Sequence, residues 1–243
     1  EPEDVPIDEA EAPIDDDAPP VKDDSILEGL VAYWGFADDQ GAQVIDGSTN
    51  ENHGDVCGTL WTSDGRRGGA LSFDGEAYVE AGSLDIPGKA LTLAAWVYFD
   101  PEAALEDQRI ISKSMGPEEA DHFWMLSLTG DEEPQLRFRL RTVDSDDTST
   151  TTTLVSSDSL IAGQWAHVAG TYDGGEMTLY LNGERIASMD KTGTIAQDPT
   201  VNAFIGANHD GYGTWQGRID EVFVAGNALD AATVVELMAS SAR

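Results

Sequence analysis

The chain has 243 residues, which is enough for one large β domain or two small domains. It carries 46 Asp and Glu residues against 13 Lys and Arg residues, a formal net charge of −33. Phosphate backbones and anionic lipids are bound by basic surfaces, so this charge argues against a nucleic-acid partner and against an anionic membrane surface, and favours metal cations, basic proteins or neutral ligands.

No run approaches the roughly 18 consecutive apolar residues of a membrane-spanning helix, so we expect no membrane insertion by this chain itself. No basic and then apolar export signal is visible in it. Cys57 is the single cysteine, which rules out an intrachain disulfide, and we expect it to be a small buried residue.

Acidic residues and proline dominate the first part of the chain. Residues 1–28 hold 12 acids and one Lys and show no apolar periodicity. Such a segment cannot bury enough apolar surface to offset chain entropy. We therefore predict a disordered acidic tether over 1–28 and a folded domain over 29–243.

Short β-type runs follow from Leu30 onwards. Several alternate apolar and polar side chains, most clearly where Leu136, Phe138 and Leu140 interleave with three arginines. The runs cover 30–36, 69–73, 77–81, 91–99, 109–113, 122–128, 135–142, 152–157, 165–172, 176–182, 185–189, 202–207 and 217–226. We read 143–151 as a polar acidic loop.

Turn signals separate these runs, with DGG at 173–175 and NGE at 182–184. One helix is predicted, over 228–241, with Asp230 as its N-cap. Some thirteen strands and one terminal helix predict an all-β fold, a large antiparallel two-sheet sandwich with a short C-terminal helix.

The run GRIDEVFVAG (217–226) places an acid inside a predicted strand. Regular alternation would put Asp220 on the face of Val222 and Val224, where an unpaired carboxylate is costly. We expect a partner for Asp220, and a cation is the natural candidate in a chain with few basic residues.

Six motifs in order resemble one known family. The sequence is similar to the laminin G-like jelly-roll domains of the concanavalin A-like lectin/glucanase superfamily over about 29–239. The motifs are GLVAYWGF, DGSTNENHG, GRRGGALSFDG, LTLAAWVYF, GQWAHVAGTYDGGEMTLYLNGE and GRIDEVFVAGNALDAATVVEL. The resemblance implies a jelly roll, which agrees with the sandwich predicted from the strands.

Loop 36–54 is rich in the oxygen ligands that calcium prefers, with Gly positions that let backbone carbonyls turn inward. The resemblance implies a structural Ca2+ ion held by Asp38, Asp46 and Asp220, with Asn52 as a weaker addition. Ala37 stands where the family often has an acid. The alternative is that Asp38 and Asp46 are solvated turn acids and that Asp220 pairs with Arg218 or a backbone amide.

The segment HDGYGTW (209–215) combines aromatic and polar side chains on a Gly-rich loop. Aromatic faces stack on sugar C–H groups and carboxylates accept hydroxyl protons, so we predict that His209, Asp210, Tyr212 and Trp215 bind a ligand. Packing is the alternative for Trp215.

No catalytic signature is found. The Glu-x-Asp-x-(x)-Glu strand of glucan-cleaving enzymes on this fold is absent from the sequence, as is a Gly-x-Ser-x-Gly elbow. We expect no enzyme activity. Two functions remain: a carbohydrate-binding module outside the cell or at its surface, or a structural or adhesion domain that binds a surface protein.

Overall fold

The structure, a computed structural model, describes residues 24–37, 41–104, 107–130, 133–209 and 211–239. The strands are β1 (Leu30–Trp34), β2 (Gln43–Val44), β3 (Gly54–Cys57), β4 (Leu60–Arg67), β5 (Gly69–Asp74), β6 (Tyr78–Glu80), β7 (Leu91–Phe99), β8 (Gln108–Ser114), β9 (His122–Thr129), β10 (Gln135–Val143), β11 (Ser149–Ser159), β12 (Trp165–Tyr172), β13 (Glu176–Leu181), β14 (Glu184–Asp190), β15 (Thr194–Ile195), β16 (Ala203–Ile205) and β17 (Gln216–Ala225). The helices are α1 (Asp24–Leu27) and α2 (Ala231–Ala239), with a 3₁₀ turn at Glu119–Asp121.

These strands form two antiparallel sheets that pack as a jelly-roll sandwich, as predicted. The first sheet runs β14-β13-β12-β7-β17-β5-β4, and β1 also pairs with β17. The second runs β11-β10-β9-β8-β16-β6-β3-β2, and β15 also pairs with β10. Some neighbours are consecutive strands, whereas β17 lies beside β1, β5 and β7, so the fold brings early and late segments side by side.

The core lies between the sheets, because alternate residues of each strand point inward. In β10, Leu136, Phe138 and Leu140 are fully buried in this core. The arginines between them therefore lie on the outer face of the second sheet, which confirms the alternation predicted for this strand.

A second apolar cluster covers the outer face of the first sheet. Val234 and Leu237 of α2 pack there against Phe223 of β17. Asp230 accepts the Thr233 N–H at 2.9 Å, which confirms it as the N-cap. Neither helix of the described residues is both long and apolar enough to cross a membrane.

Part of the segment predicted as a tether is described, and it includes the short helix α1. Ile26 of α1 is fully buried in this second cluster, so 24–28 belong to the folded domain. The remainder of that prediction, 1–23, lies outside the described residues.

Both predicted hairpin turns are present. Asp173 accepts the Gly175 and Glu176 N–H groups, each at 2.8 Å, where β12 turns into β13. Asn182 and Gly183 have φ of 50° and 82°, as a tight hairpin requires. The predicted loop at 143–151 is shorter in the structure, because β10 extends to Val143 and β11 begins at Ser149.

Candidate functional site

The Asp46 carboxylate is the main hydrogen-bond acceptor of the loop that follows β1. Its side chain is buried, and its two carboxylate oxygens accept four hydrogen bonds. Oδ1 accepts the N–H groups of Tyr33 at 2.9 Å and Ser48 at 2.8 Å. Oδ2 accepts the Ser48 hydroxyl at 2.6 Å and the Asn52 N–H at 2.9 Å. The protein itself thus supplies four donors to this carboxylate.

Asn52, the weaker calcium candidate, turns its side chain in another direction. Its Nδ2 group donates to the Val31 carbonyl at 2.8 Å and so fastens the loop to β1. Asp38 lies outside the described residues.

Asp220 does not lie on the valine face that regular alternation predicts. A β-bulge follows it, where Glu221 has φ of 50°. The extra residue resets the alternation, so Val222 and Val224 point into the core while Asp220 pairs across from Trp96 on the outer face.

Backbone amides hold the Asp220 carboxylate. Oδ2 accepts the Arg67 N–H at 3.0 Å and Oδ1 accepts the Glu221 N–H at 2.8 Å. Burial, followed by the charge of Glu221, raises the pKa of Asp220 to about 8. The amide partnership is one of the two alternatives that the sequence left open for this residue.

Tyr33 connects the two acidic positions. Its backbone N–H binds Asp46, and its hydroxyl donates to Glu221, next to Asp220, at 2.6 Å. Among the described residues, no group of three or more His, Cys, Asp or Glu side chains is arranged to hold a metal ion. Asp38, another of the predicted ligands, lies outside the described residues, so calcium stays a prediction.

The predicted ligand loop divides into exposed and buried residues. Tyr212 is 48% exposed, whereas Trp215 is fully buried with its ring 5.9 Å from that of Phe99. Packing is therefore the role the structure gives Trp215, and its ring offers no face to a ligand. His209 is exposed, with its ring 6.0 Å from that of Phe204. Asp210 lies outside the described residues.

A cleft of about 190 Å³ borders this loop. It is lined by polar and small residues, namely Ala104, Asp107, Gln108, Gly211, Tyr212, Gly213, Thr214 and Gln216. The lining thus combines the half-exposed Tyr212 with the acidic residue Asp107 and the two amide residues Gln108 and Gln216. Such a surface suits a hydroxyl-rich ligand.

Three arginines lie beneath this loop, on the outer face of the second sheet. Register places Arg109 of β8 and Arg137 of β10 on either side of Ser127 in β9, and Arg139 is two residues further along β10. All three are at least nine-tenths buried. We call Arg109, Arg137 and Arg139 the arginine cluster.

A hydrogen-bond network fixes one end of the arginine cluster. The Asn208 Oδ1 atom accepts from Arg109 Nε at 3.2 Å and from the Ser112 hydroxyl at 2.8 Å. The Asn208 amide nitrogen therefore faces His122 Nε2, 3.3 Å away, and His122 Nδ1 donates to the Glu118 carbonyl at 2.8 Å. Burial, with the Arg139 charge second, lowers the pKa of His122 to about 4, so the ring is neutral.

Sequence reasoning named Tyr212 but missed the arginine cluster. The alternating arginines of 137–141 were visible, yet the pattern showed only that they leave the core. That Arg109 joins them follows from the pairing of β8 and β10 with β9, which no local signal in the sequence specifies.

A second cleft, of about 320 Å³, lies at the other sheet, where Phe36 and Trp61 pack edge to face with ring centroids 6.3 Å apart. The glycines at 68 and 69 line the same cleft. Trp61 donates its indole N–H to the Gly41 carbonyl at 3.0 Å, so the ring is tied to the neighbouring loop. A ligand test must therefore discriminate this cleft from the cleft beside Tyr212.

Solved structures share this fold at low sequence identity. Domain 4 of an extracellular arabinanase from Geobacillus stearothermophilus, solved in complex with arabinotriose, is 19% identical with a TM-score of 0.65, over 86% of this chain and 97% of that one. The ligand-binding domain of botulinum neurotoxin serotype D, solved with N-acetylneuraminic acid, is 15% identical with a TM-score of 0.60, over 88% of this chain and 51% of that one.

Sequence comparison gives the family. Mouse (Mus musculus) Pappalysin-1 is 31% identical over 137 residues, which is 52% of this chain, and the chain spans only 8% of Pappalysin-1. The family model of laminin G-like domains, described as the concanavalin A-like lectin/glucanases superfamily, matches residues 73–235. With the jelly-roll fold in place, the chain belongs to the concanavalin A-like lectin/glucanases superfamily as a laminin G-like domain.

Proposed function

We propose that this chain is a non-catalytic carbohydrate-binding module that works outside the cell or at its surface. The observation that carries the proposal is the cleft beside Tyr212, which is lined by this half-exposed aromatic residue together with acidic and amide residues. An aromatic face and a few fixed polar groups are the combination that recognises sugars. Sugar complexes of two proteins with this fold, with arabinotriose and with N-acetylneuraminic acid, support it.

The extracellular assignment is part of the same proposal. Pappalysin-1 aligns with this domain, and the arabinanase that shares its fold is described as extracellular. The strong acidity of the chain keeps such a domain soluble and apart from anionic surfaces.

A glycan array probed with the full chain tests the function, with Tyr212→Ala as the site variant. We expect binding to at least one glycan class and its loss in Tyr212→Ala, because the ring supplies the stacking surface. Ile161→Ala, which changes a side chain that is 65% exposed, is the matched control and should bind as wild type does.

Two results would contradict the proposal. Binding to no glycan would reject the carbohydrate function and leave the protein-binding alternative. Binding that survives Tyr212→Ala but is lost in Trp61→Ala would move the site to the second cleft.

Calcium is tested separately, by melting the chain with excess calcium and then with a chelator. A site filled at 100 times its dissociation constant adds about 2.7 kcal/mol, so a bound ion would raise the melting temperature by several degrees. Equal melting temperatures with calcium and with the chelator would reject the bound ion.

A further inference from the structure

The charges within the arginine cluster do not balance. Its ion pairs in the described part of the chain all go to Asp107, at 3.1 Å from Arg137 and 3.5 Å from Arg109. Arg109 and Arg137 therefore share one half-buried carboxylate. The negative charges that act on Arg139 are those of Glu119 and then Asp107, so two carboxylates offset three buried guanidinium groups. In a chain of net charge −33, this local excess of positive charge is unusual and needs a physical reason.

The hydrogen bonds of the cluster are also incomplete. Arg109 Nη1 and Nη2 and Arg137 Nη2 are buried and have no hydrogen-bond partner among the described residues. A buried donor without an acceptor destabilises the fold, and more so when the group is charged. Burial, and then the charge of Arg137, lower the pKa of Arg109 to about 10, because both disfavour the charged form of this side chain.

The unpartnered groups lie next to the Tyr212 cleft. The Tyr212 ring centroid is 5.2 Å from the Arg109 Cζ atom, so the ring covers the guanidinium group. Gly213 lines the cleft, and a Cβ atom on it would lie 2.7 Å from Arg109 Nη1, so the glycine backbone packs directly against the guanidinium group. The same segment is anchored by the Arg109 N–H, which donates to the Gly213 carbonyl at 2.8 Å.

We propose that the arginine cluster recognises an anionic group, a carboxylate or a sulfate ester, on an acidic glycan bound at the Tyr212 cleft. This inference rests on the proposed carbohydrate function and names its ligand class. A planar guanidinium fork matches a two-oxygen anion, and the bound anion would complete the hydrogen bonds of Arg109 and Arg137.

The net charge of the chain restricts the class of acidic glycan further. The acidic surface repels a polyanion at long range, whereas a single anionic group on an otherwise neutral sugar is repelled little. The recognised glycan therefore carries an isolated acidic sugar, such as a uronic or sialic acid residue, and is not a densely sulfated chain.

The test compares acidic glycans with matched neutral partners. The pairs are methyl β-D-glucuronide with methyl β-D-glucoside and 3′-sialyllactose with lactose, measured by calorimetry on the full chain. We expect one acid to bind at least about tenfold more tightly than its neutral partner, the effect of one charge-assisted hydrogen bond. Arg139→Gln should reduce this preference, because it removes one of the three positive charges.

Arg185→Gln is the matched control, since Arg185 is half exposed on β14 of the other sheet and pairs with Glu176. It should leave the preference unchanged. Thermal melting shows which variants are folded, and the acid and neutral pairs decide the question on wild type alone if Arg139→Gln does not fold.

The outcomes separate the two proposals. Equal binding of acid and neutral partners would overturn the anionic recognition and leave the carbohydrate function in place. Binding to none of these glycans and to no glycan on the array would overturn both.

Discussion

The Asp46 carboxylate offers a sharp test of how the loop after β1 is held. Asp46→Ala removes the acceptor of four hydrogen bonds and leaves the buried Tyr33 N–H without a partner. Ser48 and Asn52 are less buried, so their N–H groups can form hydrogen bonds with water instead. The Tyr33 N–H counts as one fully buried donor, and the N–H groups of Ser48 and Asn52 count as two half-buried donors. We therefore expect a loss of about 3–5 kcal/mol in unfolding free energy, or about 10 °C in melting temperature.

Two further variants make the test graded. Asp46→Asn keeps one oxygen but turns an NH2 group towards the Asn52 N–H, so it should cost about 1–3 kcal/mol. Ser48→Ala removes one hydroxyl donor and should cost about 1 kcal/mol.

Urea unfolding and thermal melting, each with calcium and with a chelator, measure these differences. The losses should be the same in both solutions, because the donors that Asp46 uses belong to the protein. Losses below about 0.5 kcal/mol for Asp46→Asn, or losses seen only with calcium, would refute the reasoning.

Three other predictions concern stability. Burial lowers the pKa of His122 from 6.5 to about 4, so the unfolded chain takes up this proton before the folded chain does as pH falls. Between pH 6.5 and pH 4, wild type should therefore lose about 3 kcal/mol more unfolding free energy than His122→Gln, and equally steep pH profiles would contradict this. A Cβ atom on Gly217 would lie 2.1 Å from a backbone oxygen, whereas a Cβ atom on Gly82, which also has positive φ, would meet nothing within 4 Å. Gly217→Ala should therefore lose at least about 2 kcal/mol more unfolding free energy in urea than Gly82→Ala, and equal losses would contradict this prediction. Leu237→Ala, in the buried face of α2, should cost about 2–4 kcal/mol, whereas Val235→Ala on the exposed face should stay within about 0.5 kcal/mol, and comparable losses would show that α2 does not pack as described.

Local patterns were enough to predict most of the sandwich. The alternation in β10 and the turn residues at 173–175 and 182–184 depend on neighbours in the chain, and the structure reproduces them. The strands that were missed carry weaker signals. Leu60–Arg67 ends in charged and glycine residues, and its pairing with β5 is irregular between Thr62 and Arg67.

The candidate site was less predictable because it depends on long-range register. Regular alternation misplaces Asp220, since the bulge at Glu221 cannot be read from GRIDEVFVAG alone. The arginine cluster exists only when β8 and β10 lie on either side of β9. The role of Trp215 could not be predicted for the same reason. Whether this loop residue packs on Phe99 or faces solvent depends on where the fold places the loop, which the local sequence does not specify.

The most direct test of the account is an NMR titration of the full chain with the acidic glycan that binds best among the four named above, observing the arginine side-chain Nε–H signals. We expect the signals of Arg109, Arg137 and Arg139 to shift together with the backbone amides of 211–215, while Arg185 stays unchanged. Unmoved signals of the arginine cluster, with shifts gathered around Trp61, would show that the ligand binds elsewhere and that the cluster serves only the fold.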